Sequence, residues 1–374
     1  MGGKGKDLQP QRSVGAMENL IDRFGDGAVV FALALFIGMV FGAAAQHSRF
    51  CLRAATVEFS HNIWGPRLGI WLVAFSAAVF TVQGAIATGY LDVSNARQIA
   101  AQGSLSGAIL GGLMFGSGMI LARGCASRLL VLSATGNLRA IVTGLVLTLT
   151  AQASLRGVLS PLRESLGGIW AISGGPSRDL LAHIGILPRT VALIAGGCLV
   201  VAVAFALYRG NAKSRTGAAV IVGATIAAGW VATYAVAQNS FEVVAISSIT
   251  FTGPSADTLM GFVNERQLPL SFGSGLVPGV FLGALLMAVI TGEARIQRFE
   301  AQMPMERYLV GGVLMGFGSM LAGGCAVGAG MTGGAIFALT AWLALLSMWV
   351  GAVATQLVAD ARAGAGAAAP RPQS

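Results

Sequence analysis

The sequence predicts an all-α, polytopic membrane protein built from two related halves whose helices are interrupted inside the membrane. Three observations predict it. The 374-residue chain is 55% hydrophobic and only 10% charged, with a mean hydropathy of +0.74, whereas a soluble domain carries roughly 25% charged residues. Several apolar runs reach the roughly 20 residues that cross a bilayer's hydrocarbon core. Finally, one glycine–cysteine segment occurs twice. Leu110–Ala126, LGGLMFGSGMILARGCA, aligns without a gap on Val310–Ala326, VGGVLMGFGSMLAGGCA, and nine of the seventeen positions agree. The matches include Gly111/Gly311, Gly116/Gly316, Gly124/Gly324 and Cys125/Cys325.

The elements follow in order. Residues 1–24 are an N-terminal extension. The run at 28–46 is longer than the apolar core of a signal peptide, so it is read as a retained first span. The segment 48–60, SRFCLRAATVEFS, is too short to cross. A span at 68–90 follows. A helix at 105–122 then runs into the first glycine–cysteine motif, with 124–134 as its short continuation, and a span at 137–155 completes the first half, 25–160. A linker, 161–214, holds one extra span near 190–208. The second half, 215–358, repeats the order. It has a span at 217–236, an interrupted segment at 245–263 (AISSITFTGPSADTLMGFV), and a span at 275–292. The helix 308–322 then runs into the second motif, 323–333 is short, and 334–358 crosses. The total is about nine transmembrane helices with four broken or re-entrant half-helices. A weaker echo, AQHSRF at 45–50 against AQNSF at 237–241, supports the repeat. Residues 359–374 are read as a disordered tail.

Repeated halves with glycine-interrupted hydrophobic segments at matching positions point to a transporter with its site near the bilayer midplane and inverted repeats. Backbone that leaves helical geometry within the bilayer must be buried in protein or line a wet cavity. A half-helix that restarts after the break aims its free N–H groups and positive dipole end at that cavity. Glycine serves two purposes here. Gly112/Gly116 and Gly312/Gly316 have the small-xxx-small spacing of close helix packing, while the GC pairs and GGCAVGAGMTGG read as turns.

The four cysteines, Cys51, Cys125, Cys198 and Cys325, form no CxxC or zinc pattern. Cys125 and Cys325 each follow a glycine where the helix breaks, and Cys51 opens a short element after the first span. The counterpart of Cys51 in the second half is the TFTGPSAD stretch, which offers Thr250, Thr252, Ser255 and a Gly253–Pro254 break. Thiols are weak, polarisable donors and acceptors and suit a soft sulfur-bearing anion. Cys198 lies in an unbroken apolar run and reads as a small packing residue.

Arg49, Arg53, Arg123 and Arg128 flank the cysteine motifs. Each is either a substrate contact, as ionisable residues in membrane segments often are, or a snorkelling side chain. His47, His61 and His183 have no metal-ligand spacing, and Glu58 and Glu242 make no acidic pair; no cofactor is expected. The net charge of +9 is open to two readings: cytoplasmic loop bias or attraction of an anionic substrate. Loop charge also leaves orientation open. Arg209, Lys213 and Arg215 put loop 209–216 in the cytoplasm and hence the N-terminus outside, whereas Lys4, Lys6, Arg12 and Arg23 argue for an inside N-terminus.

RFCLRAA, GSGMILARGCAS, TFTGPSAD and GFGSMLAGGCAVGAG resemble the signature segments of the YeeE/YedE family of sulfur-compound transporters, a likeness extending over about residues 25 to 355. The resemblance implies an hourglass-shaped helical protein of the bacterial inner membrane that takes up thiosulfate. It places three motif cysteines at Cys51, Cys125 and Cys325, which pass the ion inward through transient S–H···S contacts. The expected substrate-binding set is Cys51, Cys125, Cys325, Gly124, Gly324, Thr252, Gly253, Arg53 and Arg123. A separate TusA-like cytosolic sulfur carrier is the implied partner. Some relatives handle selenium compounds, so a selenium-compound transporter is one alternative. A membrane sulfurtransferase forming a cysteine persulfide and a small-solute channel are the others.

Overall fold

The structure is a computed structural model that describes residues 11–298 and 304–368. Its helices are α1 (Gln11–Phe24), α2 (Asp26–Ser48), α3 (Leu52–Ser60), α4 (Pro66–Ala87), α5 (Arg97–Ala100), α6 (Leu105–Leu121), α7 (Ala126–Ala134) and α8 (Leu138–Arg156). They continue as α9 (Ser160–Gly168), α10 (Leu180–Ile184), α11 (Pro188–Tyr208), α12 (Lys213–Asn239), α13 (Thr252–Asn264), α14 (Phe272–Ile290), α15 (Met305–Leu321) and α16 (Leu339–Ala368). A π-type helix, Ala326–Gly333, separates α15 from α16. Two-residue strands at Gly103–Ser104 and Ala171–Ile172 pair antiparallel. Among the described residues nine helical segments are long and apolar enough to cross a membrane. The protein is a multi-pass membrane protein.

The elements pair in a reciprocal pattern. Helix α2 packs along α14, and α4 packs along α12; α6 packs along α16, and α8 along α15. Helices α2 and α12 touch each other, as do α6 and α15. The repeated glycines make the α6–α15 crossing. A Cβ on Gly118 would fall 2.7 Å from the Gly311 carbonyl, and one on Gly318 would fall 2.7 Å from that of Gly111. The small-xxx-small pairs act on the outer partners. Gly112 abuts the Ala344 carbonyl and Ser347 on α16, while Gly316 abuts the Leu147 carbonyl and Thr150 on α8. Without a hydrophobic drive between helices in lipid, such close backbone approach is what associates them.

Large apolar side chains such as Phe36, Leu193, Ile194, Val200, Leu286, Val313 and Leu346 are exposed. On a soluble protein such patches would be anomalous; on membrane spans they face lipid. Cys198 is also exposed, on α11. Its expected place in the protein's packing is therefore corrected: α11 lies outside the repeat pairs, chiefly against α4, and Cys198 is on its outward side.

Three further differences concern boundaries. The interrupted segment starting at 245 is extended until α13 begins at Thr252, consistent with its β-branched, serine-rich ISSIT sequence. Helix α16 continues to Ala368, so 359–368 is helical where the sequence reads as tail; alanine has the strongest helix propensity. Residues 369–374 and 1–10 lie outside the described residues. The linker holds more than a span, since α9, the strand Ala171–Ile172, a tight turn at Gly175–Arg178 and α10 precede α11.

Candidate functional site

The three cysteine-bearing breaks share one local geometry. Helix α2 is ended by Arg49 in the left-handed conformation (φ 55°), α6 is followed by Arg123 (φ 56°), and α15 by Gly323 (φ 80°). In each case the next residue's N–H reaches back five residues. Phe50 donates to the Ala45 carbonyl at 3.2 Å, Gly124 to Met119 at 3.1 Å and Gly324 to Ser319 at 2.8 Å. This is the helix-ending turn that a left-handed residue makes possible. A cysteine then stands at the N-cap of each restarting helix, Cys51 before α3, Cys125 before α7 and Cys325 before the π-type helix. All three thiols thus sit where free backbone N–H groups and the positive end of a helix dipole favour an anion.

Cys51 and Cys125 come together as close neighbours. Cys125 is 1% exposed, and its sulfur lies 3.4 Å from the Ser127 hydroxyl. Cys51 lines a cavity of about 420 Å³ walled by Arg49, Arg53, Arg67, Arg123, Arg128 and Arg295. Among the described residues, Glu293 is the one carboxylate in that wall. It accepts from Gln46 Nε2 at 2.6 Å and Arg49 Nη2 at 3.0 Å, and Arg128 donates to Gln46 Oε1 at 3.3 Å. The chain after α14 forms this wall because it is pinned to the α7–α8 turn. Arg295 N donates to the Thr135 carbonyl at 3.1 Å, and Asn137 Nδ2 to Gln297 Oε1 at 2.7 Å. The Arg53 Nε is buried with no hydrogen-bond partner, a donor that an incoming anion would satisfy.

Cys325 is 1% exposed, and its sulfur accepts the Gly328 N–H at 3.5 Å. Gly324 is required by space, since a Cβ there would lie 2.7 Å from Ala329 N. The stretch opposite Cys51 in the repeat lies against this half-helix, because Thr332 donates to the Ile249 carbonyl at 2.6 Å and Gly328 abuts the Thr250 hydroxyl. Thr252 is fully buried and its hydroxyl has no partner.

Of the residues singled out in the sequence, Cys51, Arg53 and Arg123 thus line one vestibule with Cys125 buried beside Cys51, and Cys325, Gly324 and Thr252 lie at the α15 break and the segment packed on it. Gly124 and Gly253 are in roomier settings. The nearest atom to a Cβ on Gly124 is Leu129 Cδ2 at 3.4 Å, and nothing lies within 4 Å of one on Gly253. Glu58 is structural, its carboxylate accepting from the Arg67 and Leu68 N–H groups at the start of α4. Glu242 is exposed in a loop. His61 pairs with Asp360 at 2.8 Å on the surface. No cluster of metal-ligating side chains occurs among the described residues. Sequence reasoning missed Glu293, Gln46 and Arg295. The signal was present in TGEAR, an acid and a base together after a span in a chain with few charges.

Comparison with known proteins supports the same region of the chain. A family model described as sulphur transport matches residues 47–354. A thiosulfate transporter, TsuA, of Spirochaeta thermophila is 27% identical over 335 residues, covering 85% of this chain and 95% of that protein. The Escherichia coli protein of the same name is 36% identical over 100 residues, 27% of this chain and 28% of that one. The family match takes in Cys51, Cys125 and Cys325, and the chain belongs to the sulphur transport family.

Proposed function

We propose that this protein is an inner-membrane transporter that takes up thiosulfate or a closely related sulfur oxyanion, and that it is not an enzyme. The observation that carries the reading is the placing of two neighbouring cysteines, Cys51 and Cys125, at half-helix N-termini beside a vestibule lined by Arg49, Arg53, Arg67, Arg123, Arg128 and Arg295. The relatives are named thiosulfate transporters, which supports the substrate.

In the proposed path the dianion collects among the arginines and sheds water against the N-terminus of α3. It steps from Cys51 to Cys125 and on to Cys325 through S–H···S and S–H···O contacts, with no covalent bond. Weak, successive sites let an ion leave as readily as it enters. The Thr252 hydroxyl and the Gly253 backbone complete the set at the second break, and Arg53 and Arg123 hold the ion at the first. We place the two halves at 25–160 and 215–358, related by inverted topology, and assign a separate TusA-like carrier to receive the sulfur.

Growth on thiosulfate as sole sulfur source tests the reading. Cys125→Ala and Cys325→Ala abolish growth of a transport-deficient strain, and Cys198→Ala, on the lipid side of α11, leaves it intact. Normal growth of both motif variants defeats the relay. The sulfurtransferase alternative is separated by intact-protein mass spectrometry after thiosulfate exposure: a persistent persulfide on Cys125 or Cys325 favours it.

A further inference from the structure

The repeat is unequal in charge. At the register that aligns Cys125 with Cys325, Arg53 faces Gly253, Arg123 faces Gly323, and Arg128 faces Gly328. The second half therefore lacks the arginines that surround the first pair of thiols. A second cavity, of about 520 Å³, nevertheless opens beside the Cys325 break, lined by Leu321, Ala322, Gly323 and Ala329. Its other wall is the segment connecting the two halves, and that wall carries Arg163 and Arg178, with Arg97 from α5 beside them.

This wall is built and held. The Ser104 and Ser106 hydroxyls donate to the Gly167 and Leu166 carbonyls at 2.6 and 2.8 Å, fixing α9 to the start of α6. Leu180 N donates to the Phe337 carbonyl at 3.0 Å, fixing the other end before α16. Between them Arg178 is only 7% exposed. Its guanidinium donates to the Ala101 carbonyl at 2.6 Å, the Arg97 carbonyl at 3.3 Å and the Thr340 hydroxyl at 2.6 Å. Every one of those acceptors is neutral. Burial, and next the Arg97 charge, disfavour the charged form of Arg178, and the guanidinium contacts given above include no carboxylate; the carboxylate on this wall, Glu164, pairs with Arg163 at 3.0 Å. The Nε atoms of Arg163 and Arg178 are both buried without a hydrogen-bond partner. Buried charge and unpaired buried donors are costly unless something completes them.

We propose that this cavity is a second binding site for a small divalent oxyanion, held by Arg163 and Arg178 with Arg97 at its edge. The connecting segment thereby restores at the Cys325 mouth the positive charge that the second repeat lost. Its place on the route rests on the transport reading above; its anion chemistry does not. No thiol is among the lining residues, so this site takes sulfate and thiosulfate alike, unlike the cysteine path.

The test is calorimetric titration of the purified full-length protein in detergent with sodium sulfate and sodium thiosulfate at fixed ionic strength. An Arg123→Gly, Arg128→Gln background, with the first vestibule weakened, should still bind sulfate. Adding Arg163→Gln should weaken that binding at least about tenfold, the worth of one charge-assisted hydrogen bond, and Cys198→Ala, on the outward side of α11, should leave it unchanged. Arg163 is the primary variant because the Arg178 clamp then stays intact. Arg178→Lys, which keeps the charge but not the fork, should weaken binding by a smaller factor. Loss of sulfate binding in the first-vestibule background, or wild-type binding after Arg163→Gln, overturns the proposal. Failure of the transport reading looks different: thiosulfate-dependent growth would be independent of Cys125 while sulfate still bound here.

Discussion

Arg123 carries two opposed demands, and separating them makes a sharp test. It holds φ 56° at the end of α6, while its repeat counterpart, Gly323, does the same job at φ 80°. A left-handed residue with a side chain costs roughly 1–2 kcal/mol that glycine avoids. The side chain also lines the vestibule beside Cys51. Arg123→Gly and Arg123→Ala both remove the guanidinium and every contact it makes; they differ only in the backbone term. The glycine variant should therefore be more stable than the alanine variant by about 1–2 kcal/mol, the unaltered αL penalty. At roughly 2–4 °C per kcal/mol for 150–250 residues, and less for a longer chain, that is a difference of about 1–5 °C in the midpoint of thermal unfolding in detergent. In transport the two should be equally impaired, with half-saturation for thiosulfate raised about tenfold, the scale of one lost charge-assisted hydrogen bond. The assays are differential scanning fluorimetry and uptake of ³⁵S-thiosulfate. Equal stability of the two variants refutes the backbone argument, and wild-type half-saturation in both refutes a substrate role for Arg123.

Other perturbations follow from the same geometry. Glu293→Gln removes the carboxylate that holds Gln46 and Arg49, so half-saturation in the uptake assay should fall severalfold; a rise contradicts the view that Glu293 competes with the substrate for these groups. Neutral salt should raise half-saturation, because Arg49, Arg67 and Arg295 at the mouth are exposed and the Debye length shrinks from about 10 Å at 0.1 M to 3 Å at 1 M; uptake indifferent to salt removes the steering role of these residues. Gly311→Ala places a Cβ 2.6 Å from Ala122 N at the α6–α15 crossing, whereas nothing lies within 4 Å of a Cβ on Gly144 in α8. The first substitution should destabilise by about 1–3 kcal/mol and lower the yield of monodisperse protein, and Gly144→Ala should not.

The sequence made the spans and the breaks legible because both rest on local signals. Apolar length marks α2, α4, α11 and α14, and glycine beside cysteine marks where α6 and α15 end. The packing role of Gly112/Gly116 and Gly312/Gly316 was legible too, but the meeting of Gly118 with Gly311 and of Gly318 with Gly111 at the α6–α15 crossing was not. Long-range juxtaposition was less visible. That Cys51 lies beside Cys125 depends on how α3 and α7 are brought together by the pairing of α2 with α14. That Glu293 reaches Gln46 depends on the chain after α14 being pinned to Thr135 and Asn137. The connecting segment was read as a plain linker because its function lies in Arg163 and Arg178, two charges without a motif, whose meaning emerges only when α9 and the Gly175–Arg178 turn are set against the Cys325 break. Cys198 shows the converse. Its apolar neighbours suggest burial, but in a membrane the same composition serves a lipid-facing surface.

Uptake of ³⁵S-thiosulfate into proteoliposomes containing only this purified protein bears most directly on the thiol path. The account predicts accumulation with the wild-type chain and with Cys198→Ala, and none above empty liposomes with Cys51→Ala, Cys125→Ala or Cys325→Ala, each folded as judged by its unfolding midpoint. Wild-type uptake by any of the three motif variants would contradict it.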